Sequence, residues 1–66
     1  MMVNGEPREL PDGTTVTALV TELGLPAGGR GVAVAVDGEI VPRAEWGTHA
    51  LDEAAHVEVV TAMQGG

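Results

Sequence analysis

The chain has 66 residues, ten acidic against three basic, for a net charge of -7; this is one small domain with a marginal core, since folding at this size removes only about 60% of the unfolded surface from water. It contains no Cys, Lys, Tyr or Phe and one aromatic residue, Trp46, which excludes a disulfide framework, a zinc knuckle, an Fe–S site, a thiol nucleophile, a Lys-bearing phosphate loop and Schiff-base chemistry. Three dispersed Arg cannot neutralise a run of phosphates, no apolar run approaches the roughly 18 residues of a membrane span, and the N-terminus lacks a signal-peptide pattern, so neither nucleic acid nor membrane is an expected partner and a soluble, cytoplasmic setting is expected.

Gly and Pro divide the chain into short elements. Met1-Met2-Val3 reads as a strand entering a hairpin at Asn4-Gly5, a pair suited to the positive φ angles of a type I′ turn. Glu6 to Leu10 reads as the return strand, and Pro7, which lacks a ladder donor, places it at a sheet edge. After Asp12-Gly13, Thr14 or Thr15 is positioned to cap a helix. Val16, Leu19, Val20 and Leu23 then recur at helical spacing on one face, with Thr17, Thr21 and Glu22 opposite. Gly24 suits the residue just past the helix, and Pro26 prevents its resumption. Gly28-Gly29-Arg30-Gly31 reads as a loop. Val32-Ala33-Val34-Ala35-Val36 is the clearest strand, Asp37-Gly38 a second hairpin turn, and Glu39-Ile40-Val41 its return, ended by Pro42. Arg43 to Leu51 reads as a turn or short 3₁₀ segment, and Val57 to Met63 as the last strand.

One amphipathic helix needs one sheet to cover, so the expected fold class is α+β: a two-layer roll with one mixed sheet of about five short strands on one helix. The alternation of strand side chains places Val32, Val34 and Val36, with Val57, Val59 and Thr61, toward the helix. Ala33, Ala35, Val60 and Ala62 fall on the opposite side, a smooth apolar patch and a candidate docking face.

Little in this composition carries catalysis. His49 and His56 lie in a turn and a strand, without helical spacing to a carboxylate, and read as solvated imidazoles rather than metal ligands. The scattered carboxylates read as a solvated face. Gly28-Gly29-Arg30-Gly31 lacks the Lys-Ser/Thr that would touch phosphate and metal, and no helix pattern follows it. Trp46 reads as a plug at one end of a core that has no other aromatic. No catalytic, metal-binding or cofactor-binding residue is therefore assigned. The remaining feature is Gln64-Gly65-Gly66, directly after a strand. The expected organisation is a domain over 1–63 and a tail over 64–66. Backbone at Gly approaches a reaction centre through a channel that any Cβ would block, and the one reactive group such a tail delivers is the α-carboxylate of Gly66.

Taken together, Val3-Asn4-Gly5-Glu6, the helix opening Asp12-Gly13-Thr14-Thr15-Val16, the run Val32 to Arg43 with Trp46, Val57-Glu58-Val59-Val60 and the Gly65-Gly66 end resemble the sulfur carrier protein of thiamin biosynthesis, the ThiS family. The match spans the whole chain. Val41-Pro42-Arg43-Ala44-Glu45-Trp46 with the Gly-Gly end distinguishes it from the small subunit of molybdopterin synthase. The resemblance implies a ubiquitin-like β-grasp fold whose first strand is central; here only three residues precede that strand's turn. It further implies that a partner adenylyltransferase, E1-like, binds MgATP and adenylates the Gly66 carboxylate. Sulfur from a persulfide donor then displaces AMP to leave a thiocarboxylate, which donates sulfur to thiazole synthase. On this reading the chain is not an enzyme but a co-substrate, a monomer when free, with Gln64, Gly65 and Gly66 threading into the partner. Two alternatives are a sulfur carrier for molybdopterin or another product, and a non-catalytic ubiquitin-like interaction module. In the second, the tail is dispensable and the docking face is not.

Overall fold

The computed structural model describes residues 1–26 and 30–62. Strands β1 (Met2–Val3), β2 (Glu6–Pro7), β3 (Val32–Val36), β4 (Glu39–Ile40) and β5 (His56–Thr61) form one sheet in the order β2-β1-β5-β3-β4. The β1–β5 pair is parallel and the other neighbours are antiparallel, so the sheet is mixed. The helix α1 (Val16–Glu22) covers one face. This is the predicted roll, with β5 in the middle and β1 inside the sheet but beside the middle strand.

Both hairpins turn where the sequence places them. Asn4 and Asp37 hold φ values of 53° and 51°, each followed by Gly at 82° and 87°. Two successive left-handed residues are the type I′ geometry whose twist matches that of the flanking strands. The return strand β2 stops at Pro7 rather than Leu10. Beyond Pro7 the Arg8 N–H reaches the Met1 carbonyl at 2.9 Å and the Met1 amine reaches the Arg8 carbonyl at 3.1 Å, while the β1 register ends at Met2 opposite Pro7. β2 is an edge strand, as Pro7 requires. β5 begins one residue earlier than predicted. The Asp37 N–H donates to the His56 carbonyl at 2.8 Å and the His56 N–H to Asp37 Oδ1 at 3.0 Å. β5 ends at Thr61, before the predicted Ala62; Met63, Gln64, Gly65 and Gly66 lie outside the described residues.

The helix is held at both ends by specific partners. Thr15 is the N-cap and its hydroxyl accepts the Ala18 N–H at 3.2 Å. The first two helical amides, Val16 and Thr17, donate to the carbonyls of His49 and Trp46 at 3.1 and 3.2 Å. The 46–51 segment thus satisfies donors that a helix start leaves unpaired. At the other end the Gly24 N–H bonds the Thr21 carbonyl and the Leu25 N–H the Val20 carbonyl, at 2.9 and 3.2 Å. That is a Schellman motif, and Gly24 supplies its left-handed residue at φ 78°.

The core lies between this helix and the sheet. Val16, Leu19 and Val20 are fully buried, against Val34, Val57 and Val59 from the sheet. Each such side chain stabilises the fold by about 1.5–3 kcal/mol relative to exposure. Trp46 is buried, and its indole N–H donates to the Val41 carbonyl at 2.9 Å. A 3₁₀ turn over Arg43–Glu45 makes this closure possible. The Val41-to-Trp46 motif is therefore a structural loop: its first and last residues enter the core, while Pro42 to Glu45 stay exposed.

Candidate functional site

The face of the sheet away from the helix is open. The register puts Ala33 opposite Val60, and Ala35 opposite both Glu58 and Ile40. Residues facing each other across a ladder share a side, so Ala33, Ala35, Ile40 and Val60 form one apolar surface. Val60 is 62% exposed and Ile40 70%. Ala33 and Ala62 are exposed and Ala35 half-buried. Of the four residues predicted to share this side, the register places Ala33, Ala35 and Val60 there, and Ala62 lies one residue past the end of β5. Ile40 was missing from the prediction, although the signal was present: a two-residue turn at Asp37-Gly38 pairs Val36 with Glu39 and therefore Ala35 with Ile40.

All ten carboxylates are exposed. Glu58 is the one whose strand position falls on the apolar face, and His56 lies two residues before it. The other nine, from Glu6 to Glu53, lie on turns, loops, the helix or the opposite side of the sheet. An apolar surface bordered by Glu58 is thereby set within an acidic exterior.

The strand that leads to the tail is anchored by an unpredicted contact. Asn4 sits in the first hairpin turn, yet its carboxamide reaches 55 positions along the sequence to β5. Its Oδ1 accepts the Val59 N–H at 2.8 Å and its Nδ2 donates to the Val59 carbonyl at 3.2 Å. The Asn4 backbone N–H bonds the Val57 carbonyl at 2.9 Å. A single side chain thus continues the β1–β5 ladder one rung past the point where β1 turns away. No local pattern announces it; Asn-Gly was legible only as turn chemistry.

An open depression between the two hairpin turns, lined by Met2, Gly5, Asp37, Gly38, His56 and Glu58, brings one imidazole and two carboxylates near each other. No three His, Asp or Glu side chains among the described residues converge as metal ligands. His56 is exposed and His49 half-buried. His49 contributes through its backbone carbonyl at the helix start. Among the described residues no helix is long and apolar enough to cross a membrane.

The model of the ThiS family matches residues 1–66. A crystal structure of the thiamine biosynthesis protein ThiS from Geobacter metallireducens superposes with a TM-score of 0.80 at 28% identity, covering 98% of this chain and 96% of that one. A solution structure of a thiamine biosynthesis protein from the same organism gives a TM-score of 0.81 at 27% identity, covering 98% and 85%. A thiazole synthase from Paramagnetospirillum magneticum is 36% identical over 66 residues. The chain spans one fifth of that curated relative's length, 20%, while matching along its own whole length. With the mixed sheet, the capped helix and the family match over every residue, the chain belongs to the ThiS family.

Proposed function

We propose that the chain carries sulfur for thiazole formation in thiamin biosynthesis, as a thiocarboxylate on Gly66. The observation that carries this reading is the family match across residues 1–66 in a sequence that ends in Gly65-Gly66 three residues beyond its middle strand. A partner adenylyltransferase binds MgATP, since this chain has neither Lys nor a phosphate-binding loop. The Gly66 carboxylate attacks the α-phosphate and pyrophosphate leaves. The chain has no Cys of its own, so the sulfur comes from outside it; the family resemblance implies a persulfide donor. The sulfane sulfur displaces AMP, its S–S bond is cleaved by a thiol reductant, and the thiocarboxylate remains for thiazole synthase. The chain supplies no nucleophile, base or cofactor site beyond that carboxylate and acts as a co-substrate in the cytoplasm. Ala33, Ala35, Val60 and Ala62, joined by Ile40, form the docking face, and Gln64, Gly65 and Gly66 enter the partner.

The test is the fragment mass of the chain after incubation with ATP, Mg²⁺, the adenylyltransferase and a sulfur source. The expected change is replacement of one oxygen by sulfur, placed on Gly66 by fragmentation or trapped with an alkylating reagent. Placement is essential, because sulfoxide formation at Met1, Met2 or Met63 adds nearly the same mass. Deleting Gly66, or adding a residue after it, leaves the fold intact and abolishes the reaction. An unmodified Gly66 with several activating partners overturns the carrier reading in favour of an interaction module acting through Val60 and Ile40.

A further inference from the structure

The two edges of β5 are used by alternate residues. Gly31 accepts from the Ala62 N–H and Asp37 donates to the His56 carbonyl, so the even-numbered residues 56 to 62 direct their backbone groups toward β3. The odd-numbered residues face the other way. On that side the Val57 carbonyl takes the Asn4 N–H and both backbone groups of Val59 are held by the Asn4 carboxamide. Thr61 is the next rung. By then β1 has turned back at Asn4-Gly5, its last register partner being Val3 opposite Val57, and nothing in β1 or its turn reaches further. Among the described residues the Thr61 N–H and carbonyl thus meet no partner on this strand edge, on an exposed residue next to exposed Val60. From this rung the chain runs into residues 63–66.

We infer that the Thr61 edge of β5 receives an extended strand of the partner that activates the tail, so that the sheet is continued across the interface. Unpaired backbone groups in strand register are a template for strand addition. The occupant is a backbone segment with a free donor and acceptor, and it lies beside the apolar face rather than on it. Asn4 fixes where the added strand starts, by closing the rung before it. The pairing would hold the last residues of the domain extended toward the partner's active centre, before any side chain of the tail is engaged. The inference rests on the carrier reading, since it takes the activating enzyme as the occupant.

Hydrogen exchange on ¹⁵N-labelled chain, free and with the adenylyltransferase, tests it. In the free chain the Thr61 amide exchanges fast and Val60, bonded toward β3, exchanges slowly. Binding slows Thr61 by about tenfold or more, as for an amide newly held in a sheet. Because the Thr61 N–H makes no bond to β3, Thr61→Pro keeps the internal ladder, and a cooperative melt confirms folding. Thr61→Pro weakens binding by about tenfold, the loss of one backbone hydrogen bond, whereas Thr61→Val binds like the parent chain. Slow exchange at Thr61 in the free chain, or binding that shifts Ala33 and Val60 resonances without slowing Thr61, overturns the inference. If Gly66 is loaded under those conditions, the carrier reading survives alone. If the enzyme neither binds nor loads the chain, both fall together.

Discussion

Replacing Asn4 separates two roles that one residue combines. The carboxamide makes two hydrogen bonds to Val59, at 2.8 and 3.2 Å, both partly buried. The backbone sits at φ 53°, where Asn is tolerated and Ala is not. Asn4→Gly removes the bonds and keeps the conformation. At about 1 kcal/mol per bond it costs about 2 kcal/mol. Asn4→Ala adds the left-handed penalty of about 1 kcal/mol or more and costs about 3 kcal/mol. Asn4→Asp retains the acceptor for the Val59 N–H but faces a carboxylate oxygen to the Val59 carbonyl, and falls between the parent chain and the Gly variant. A domain this small is stable by about 3–10 kcal/mol, so these are large fractions. For Asn4→Gly the melting temperature drops by about 8–16 °C. Urea and thermal melts followed by Trp46 fluorescence and far-ultraviolet dichroism measure the series. An Asn4→Gly variant within about 0.5 kcal/mol of the parent would show that the contact contributes nothing.

Three further outcomes follow from the same geometry. Trp46→Phe deprives the buried Val41 carbonyl of its donor and costs about 1–3 kcal/mol in urea unfolding, whereas Trp46→Ala costs about 3–5 kcal/mol and leaves little folded protein. Thr15→Ala lowers stability by about 1 kcal/mol, seen as a melting point about 4–8 °C lower, with the fold kept because the first two helical amides retain their loop carbonyls. Val60→Asp and Ile40→Asp change stability by about 1 kcal/mol or less but abolish partner binding by titration calorimetry; unchanged binding in both would remove the open face from the docking surface.

What the sequence disclosed was local. Asn4-Gly5 and Asp37-Gly38 prescribe their turns because few residue pairs accept two positive φ angles. Thr15 and Gly24 bracket the helix because capping is decided within four residues. The face of each strand followed from alternation once the helix face was known. The ends of β2 and β5 were not legible, because they depend on which residues a distant strand still offers: Met1 for Arg8, Asp37 for His56. The reach of Asn4 to Val59 and the parallel pairing of β1 with β5 were hidden for the same reason. The open face was legible in Ala33, Ala35 and Val60, Ile40 requiring one more step of hairpin register. Trp46 was legible as a core plug, whereas the use of the Val41 carbonyl as its acceptor needed the 3₁₀ turn.

The middle strand of the sheet is also the last to be synthesised. Until residues 56–61 exist, the nascent chain can form only two short hairpins and one helix of seven residues, none of them stable alone in water. Folding therefore waits on pairing between the two ends of the sequence, Met2 with His56 and Val3 with Val57, the kind of long-range closure that sets slow rates. Through that interval the surplus of negative charge keeps the unfinished chain soluble. The open face needs β3 and β5 side by side, and β5 also carries the chain toward Gly65-Gly66.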